Sequence, residues 1–380
     1  MKKSVLFLLG KWTVGGVERV TVVVANELVR RGWTVTISAF EFINRSLLQG
    51  LDSSVLVCEF DKGRLSTANR KVLSRVIQER NVSVIINQWC VPYSTTRFIR
   101  EAIGGRNVRL IAFNHTQPNM NGRIQNAKNL IVKLFYKFVS SMNARLVYAR
   151  SDAYVVLSSS FVNVFERFIC SKHLGKLHVI PNPLTLRPIE ATQKENIIIY
   201  VGRLSETDKK VSRVISIWRL LAPKYNDWKL VVVGDGPDRA RYENSARGLE
   251  RIEFVGFVNP ESWYARAKLL LLTSDLEGFG LVLVEAMASG CVPVALGSYP
   301  AVYDIVKDNC GKVIPTPFNV ERFASEVALL MDDERKLSAF AENALRWSRA
   351  FSVDSVVDKY EALFEKLLSK KVQSASPTQC

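Results

Sequence analysis

The sequence predicts an α/β protein of two doubly wound domains, each an open parallel sheet with helices on both faces. Three observations lead there. At 380 residues the chain exceeds what one hydrophobic core usually supports, so two domains are the natural division. Short apolar runs alternate with amphipathic stretches from one end to the other, which is β-α repetition. That pattern breaks at His178-Val-Ile-Pro-Asn-Pro-Leu-Thr-Leu-Arg-Pro, where three prolines within eight residues mark a linker.

Each element follows from a local pattern. Residues 4–9, 34–39, 82–86, 109–113 and 153–157 are short apolar runs, which read as strands buried on both faces of a parallel sheet. Residues 18–31 and 67–80 repeat apolar side chains at helical spacing. Beyond the linker, strands are expected at 196–201, 229–233, 252–255, 269–272 and 292–295. The expected division is a first domain over 1–185 and a second over 186–355. A helix over 356–370, able to cross back to the first domain, and a disordered polar tail over 371–380 complete it. In such sheets ligands bind beyond the carboxyl ends of the strands, so residues just after each strand are the functional candidates.

Composition narrows the class. With 48% apolar and 10% aromatic residues, the chain suits a folded globular protein and not a disordered or fibrous one. The cysteines, at 58, 90, 170, 291, 310 and 380, form no Cys-x-x-Cys pair, which argues against a zinc site or disulfide framework and for a reducing, cytoplasmic setting. The first apolar run stops at Gly10 and Lys11, short of a signal-peptide core. No apolar stretch reaches the roughly 18 residues that cross a bilayer.

The net charge of +16 is unevenly placed. Residues 1–190 hold 27 Lys and Arg against 11 Asp and Glu, whereas residues 191–380 hold 25 of each. No acidic residue lies between Glu101 and Asp152. An excess confined to one half implies an anionic partner for that half. Nucleic acid is disfavoured, because no recognisable module or interleaved basic–aromatic pattern is present. The stretch 123–150 carries Leu130, Leu134, Phe138 and Met142 at helical spacing, with Lys128, Lys133 and Lys137 on other faces. It suits an anionic membrane surface or packing on the sheet, and core packing is the stronger expectation.

The segment Glu277-Gly-Phe-Gly-Leu-Val-Leu-Val-Glu285 follows an expected strand and opens a helix near Leu281. Gly278, Gly280 and the helix start would present backbone N–H groups at the positive end of the helix dipole, which suits an anion. Glu277 then lies on the loop and Glu285 about one turn inside the helix. A solvated loop glutamate and a helix-surface glutamate are the bland alternative for this pair taken alone.

With its continuation Ala-Met-Ala-Ser-Gly-x-Val-Pro-Val, this segment resembles the donor-site motif of the family 4 retaining glycosyltransferases of the GT-B fold. Other landmarks follow in family order: Gly15-Gly16-Val17-Glu18-Arg19, Pro181-Asn182-Pro183, Val201-Gly202-Arg203-Leu204, Gly234-Asp235-Gly236-Pro237 and Val255-Gly256-Phe257-Val258. The resemblance spans essentially the whole chain and is stronger in the second half. It implies two Rossmann-like domains facing across a cleft, and a UDP- or GDP-sugar as donor of a hexose or N-acetylhexosamine.

Residue roles carried by the resemblance are as follows. Arg203 and Lys209 would grip the donor diphosphate, a task that an arginine fork and a lysine point charge suit. The loop before Lys209 is one residue longer than the usual spacing, so Lys209 is favoured over Lys210. Glu277 would contact donor-sugar hydroxyls and Glu285 the ribose. Gly15 and Gly16 match a loop that approaches the phosphates, although Gly-Gly alone is more often a turn. Val258, Phe279, Gly280 and Leu281 complete the nucleotide-sugar site. His115 matches an active-site histidine, although Thr116 stands where Asp is usual, and a loop histidine is the alternative.

No Asp-x-Asp motif and no ligand spacing for a metal is present, so neither a cofactor nor a divalent metal is expected. The implied acceptor is a glycan, polyprenyl-diphosphate-linked, at the inner face of the cytoplasmic membrane. The chain is therefore expected to be cytoplasmic and peripheral on that membrane. A sugar-nucleotide epimerase of the same fold, or a catalytically silent partner in a glycan-assembly complex, are the alternative functions. The intact set Arg203, Glu277 and Glu285 argues against the silent one.

Overall fold

The computed structural model describes residues 3–61, 65–89, 92–118, 129–172, 174–187 and 193–369. The tail at 371–380 and the start of the stretch 123–150 lie outside the described residues. The chain divides into two compact units, one of Met1–Pro183 with Val353–Cys380 and one of Leu184–Ser352.

Among the described residues the first unit holds a seven-stranded sheet. Its strands are β1 (Ser4–Trp12), β2 (Thr34–Phe42), β3 (Leu56–Glu59), β4 (Val84–Asn87), β5 (Arg109–Asn114), β6 (Ala153–Val156) and β7 (Leu177–Val179). The order is β3-β2-β1-β4-β5-β6-β7, with every pair parallel. Val5, Leu6, Phe7 and Leu8 of β1 are sealed from solvent, as the central strand of a sheet covered on both faces requires. Helix Gly16–Arg30 follows β1, and helices Thr67–Glu79 and Tyr93–Ile103 flank β4.

The second unit repeats the plan in six strands: β8 (Glu195–Val201), β9 (Lys229–Val233), β10 (Ile252–Gly256), β11 (Ala267–Leu272), β12 (Val292–Leu296) and β13 (Lys312–Ile314). Their order is β10-β9-β8-β11-β12-β13, again parallel. One large core joins the sheet to helices Val211–Leu221 and Val320–Met331, with Trp218, Tyr200 and Phe323 fully enclosed.

Three strands escape the sequence reading. β3 and β13 are edge strands of four and three residues, with half-exposed positions that give no apolar run. β7 lies within the stretch where the pattern was expected to weaken, so His178 and Val179 are sheet residues and not linker.

Helix Leu130–Arg150 overturns the expectation of core packing. Only Ala144 and Val147 are buried along it, while Leu130, Ile131, Leu134, Phe135 and Phe138 are all more than half exposed. The reason is length. A helix of 21 residues runs about 31 Å, but neighbouring β5 and β6, of six and four residues, run only about 20 and 13 Å. Its C-terminal half is anchored by Ser141 Oγ on the Phe168 carbonyl at 2.6 Å and by Arg145 on the Ile169 carbonyl at 2.5 Å.

The C-terminal helix Val353–Ser369 packs within the first unit. Phe364 meets Trp33 edge-on at 5.0 Å, and Tyr360 stacks on Phe113 at 5.5 Å. Arg31 bonds Asp358 and Glu361, and Trp33 Nε1 donates to Glu361 at 2.7 Å.

Candidate functional site

In the second sheet, β8 and β11 are neighbours. The chain leaves β8 toward β9 and β10 but leaves β11 toward β12 and β13, in the opposite direction. Such a reversal parts the two following loops and leaves a crevice between them. Residues 202–210 form one of these loops and residues 273–280 the other.

Backbone and side chains tie the loops together. Asp275 N–H donates to the Asp208 carbonyl at 2.9 Å, and Thr273 Oγ1 to the Lys210 carbonyl at 3.1 Å. Arg213 Nη1 reaches both the Thr273 carbonyl and Asp275 Oδ1. Held this way, Lys209 Nζ lies 2.6 Å from Glu277 Oε1, with the side chains 22% and 10% exposed. Lys210 takes the left-handed conformation and turns its ammonium to Glu206 and Asp275, each at 3.9 Å. Of the two lysines, Lys209 is the one beside Glu277.

Arg203 extends its largely exposed guanidinium to Asp208 at 2.8 Å. Burial alone would raise the Asp208 pKa, but hydrogen bonds from Ser205 and Arg203 outweigh it and hold the group below its usual value. The crevice thus carries the ion pairs Lys209–Glu277 and Arg203–Asp208, beside Arg213–Asp275.

Helix Leu281–Ala288 starts at Gly280, which has a φ of +89° and caps the helix with no side chain. Gly280 therefore offers the first turn no side-chain acceptor, and the Leu283 N–H turns to the Gly280 carbonyl at 2.9 Å. A Cβ on Gly280 would collide with the Tyr299 hydroxyl, which is itself buried without a hydrogen-bond partner among the described residues. Burial and then the Glu277 charge push the Tyr299 pKa well up, so it remains a neutral phenol. Phe279 is buried edge-on to Phe351 at 6.0 Å, so only its backbone is available to a ligand. Val258, after β10, is 43% exposed.

Glu285 is almost wholly buried in this helix, accepting from Thr185 Oγ1 at 2.9 Å and Tyr264 Oη at 3.0 Å. In the first unit, Gly15 precedes helix Gly16–Arg30, and a Cβ there would lie 2.6 Å from Glu18 Oε2. Glu18, buried, accepts from Thr13 N at 2.9 Å and Thr13 Oγ1 at 2.7 Å, so it fixes the 13–16 loop in place.

His115 follows β5 with its ring stacked on Phe113 at 4.7 Å. Both ring nitrogens are sealed from solvent and make no hydrogen bond of normal geometry among the described residues, although Asn182 is a polar neighbour. Burial lowers its pKa to about 4, against a smaller upward pull from Asn182. The imidazole is therefore neutral near pH 7, a hydrogen-bonding group and not a charge. Among the described residues, no group of three His, Cys, Asp or Glu side chains is placed to hold a metal ion.

Asp208, Tyr299, Thr185, Tyr264 and Glu18 carry much of this geometry without having been given a role by sequence. Glu18 stands inside the Gly15–Arg19 landmark, Asp208 in the loop before Lys209 and Thr185 in the 178–188 stretch. The others act over long sequence separations and leave no local signal.

Residues 14–187 match the family described as Glycosyltransferase Family 4, and residues 184–347 match Glycosyl transferases group 1. A Haemophilus influenzae protein described as an uncharacterized glycosyltransferase is 24% identical over 96% of this chain and 100% of its own. The Campylobacter jejuni GalNAc-alpha-(1->4)-GalNAc-alpha-(1->3)-diNAcBac-PP-undecaprenol alpha-1,4-N-acetyl-D-galactosaminyltransferase is 23% identical over 96% of this chain and 99% of its own. Anabaena HepE in complex with UDP superposes with a TM-score of 0.74 at 19% identity, over 96% of this chain and 100% of that one. The chain is a glycosyltransferase of the GT-B fold, a family 4 domain followed by a group 1 domain.

Proposed function

We propose that the chain transfers a hexose or N-acetylhexosamine from a UDP- or GDP-sugar, with retention, to a lipid-linked glycan in cell-envelope polysaccharide or lipopolysaccharide synthesis. The observation that carries this reading is the Lys209–Glu277 pair at the switch point, beside an uncapped helix start. The UDP held by the Anabaena protein and the undecaprenol-linked substrate in the Campylobacter protein's name support the donor and acceptor classes.

In this mechanism the donor diphosphate lies at the helix start, with Lys209 and Arg203 stabilising the charge that builds on the departing β-phosphate. Phosphate competes with Asp208 for the Arg203 guanidinium. Glu277 keeps one oxygen on Lys209 and orients the sugar hydroxyls, and Glu285 receives the ribose. The acceptor hydroxyl attacks from the face the diphosphate leaves, and the diphosphate takes its proton. The basic groups take the part a divalent cation would otherwise play, so activity survives EDTA.

A screen of UDP- and GDP-sugars for thermal stabilisation identifies the donor, because ligands raise stability by mass action. Nuclear magnetic resonance of the product then reads its anomeric configuration. An inverted product overturns retention, and conversion of donor without acceptor would favour the epimerase.

The exposed apolar run of helix Leu130–Arg150 supports a membrane address. Leu130, Ile131, Phe135 and Phe138 are 69%, 76%, 61% and 64% exposed, and Lys133 and Lys137 lie among them. Apolar side chains with interspersed lysines suit the headgroup region of an anionic leaflet. On this reading the chain would work at the cytoplasmic face, where a polyprenyl-linked acceptor would be met. Co-sedimentation with phosphatidylglycerol vesicles, and not with phosphatidylcholine alone, is expected. Equal binding to both would remove the anionic part of this reading.

A further inference from the structure

Glu285 has its two oxygens engaged by two residues that both precede it in the chain, far apart from each other. Thr185, at the start of the second unit, takes Oε1, and Tyr264, in the short helix Glu261–Arg266, takes Oε2. Tyr264 is itself 1% exposed, so its ring has no freedom to swing away.

Its backbone is fixed by one partly buried cation. Lys194 Nζ donates to the carbonyls of Tyr264 at 2.9 Å, Ala267 at 3.0 Å and Ser289 at 2.6 Å. An ammonium has three N–H donors, and three carbonyls receive them. Ser289 closes the helix that carries Glu285, so the cation also sits at the negative end of that helix. The same ammonium therefore holds the helix of Glu285 and the residue whose hydroxyl holds the Glu285 carboxylate. Burial lowers the Lys194 pKa, a cost that only a set of well-placed acceptors offsets.

We propose that Lys194 and Tyr264 are positioning residues for the nucleotide ribose, fixing the plane in which Glu285 accepts its vicinal hydroxyls. This rests on the reading of Glu285 as the ribose contact. The terminal torsion of a glutamate is broad, so an untethered carboxylate samples many planes. Two hydroxyls on adjacent ribose carbons need one plane. Hydroxyl donation from Tyr264 and Thr185 selects it, and Lys194 keeps Tyr264 and the helix in mutual register.

The test compares the affinity of the full chain for UDP and GDP with that for their 2′-deoxy counterparts. Tyr264→Phe and Lys194→Met are expected to weaken ribonucleotide binding about tenfold, the scale of one hydrogen bond to a charged group. Deoxynucleotide binding should change less than twofold. The KM for the donor rises with the ribonucleotide Kd while kcat stays within twofold. In a Glu285→Gln background, Tyr264→Phe should add nothing further.

Equal weakening of both nucleotide classes, or additivity with Glu285→Gln, overturns the positioning role. A Glu285→Gln protein that still discriminates ribose from deoxyribose overturns the ribose reading itself, and the positioning role falls with it. Should Lys194→Met not fold, Lys194→Gln, which keeps two N–H donors, carries the same comparison.

Discussion

In the second unit, the charged side chains at the strand ends meet partners of opposite sign. Lys209 has Glu277, Arg203 has Asp208, and Arg213 has Asp275. In the first unit, helix Leu130–Arg150 leaves apolar side chains and lysines facing solvent, in a segment of the chain with no acidic residue from 102 to 151. Both units use parallel sheets with one order reversal each, so architecture does not account for the difference. A site for a small dianionic ligand needs cations held to a fraction of an ångström, which neighbouring carboxylates provide before the ligand arrives. A diffuse anionic surface needs only cations and apolar area, and carboxylates there would repel it.

Separate perturbations of the two units should give opposite effects. The largest is expected from Phe364→Ala, which removes a buried aromatic ring from the C-terminal helix and should cost about 4 kcal/mol. Denaturant melts should show the loss in the first unit, with nucleotide binding to the second retained. A matched loss of nucleotide affinity would show that the units do not behave separately. Lys209→Met is the converse, expected to lower kcat by about 10²- to 10³-fold with little change in melting. Activity within threefold of wild type would remove Lys209 from the chemistry.

Acid separates the units next. Burial holds His115 near a pKa of about 4, against 6.5 for a free imidazole. The unfolded chain therefore takes up the proton first, so stability is full above pH 6.5 and falls as the pH drops toward 4. The complete difference corresponds to about 3 kcal/mol at most. A His115→Gln protein should lose this acid sensitivity in melts across pH 6.5 to 4, and an unchanged profile would show that the ring is solvated. The smallest effect is expected from Lys133→Gln and Lys137→Gln. Each should weaken binding to phosphatidylglycerol vesicles by about 1 kcal/mol, read by co-sedimentation, with nucleotide affinity unchanged.

What the sequence disclosed follows the same line. Interior strands such as β1 and β9 were legible because burial on both faces demands uninterrupted apolar runs. β3 and β13 were not, because an edge strand is set by a neighbour's free backbone groups and needs little of its own side chains. Glu277 and Glu285 could be singled out from one continuous motif, and Arg203 from the separate Val201–Leu204 landmark. The choice of Lys209 over Lys210 could not be completed, since it depends on the left-handed turn at Lys210. The partners of Glu285 lie 100 and 21 residues away, and no spacing rule reaches them. The fate of helix Leu130–Arg150 was misjudged because periodicity reports an apolar stripe, not the length of sheet available to receive it.

The return of the chain to the first unit has a consequence for how the molecule is made. Leu184–Ser352 lies as an insertion within the first unit's sequence, and its two ends are already joined by the Leu184 N–H on the Phe351 carbonyl at 2.7 Å. During synthesis the whole of that segment emerges before Val353–Ser369. The second unit can therefore close first, although its sequence comes later. Until the last helix arrives, Trp33 and Phe113 lack the aromatic partners that Phe364 and Tyr360 supply. The first unit to be translated is the last to be finished, and its nascent form is the one a chaperone would meet.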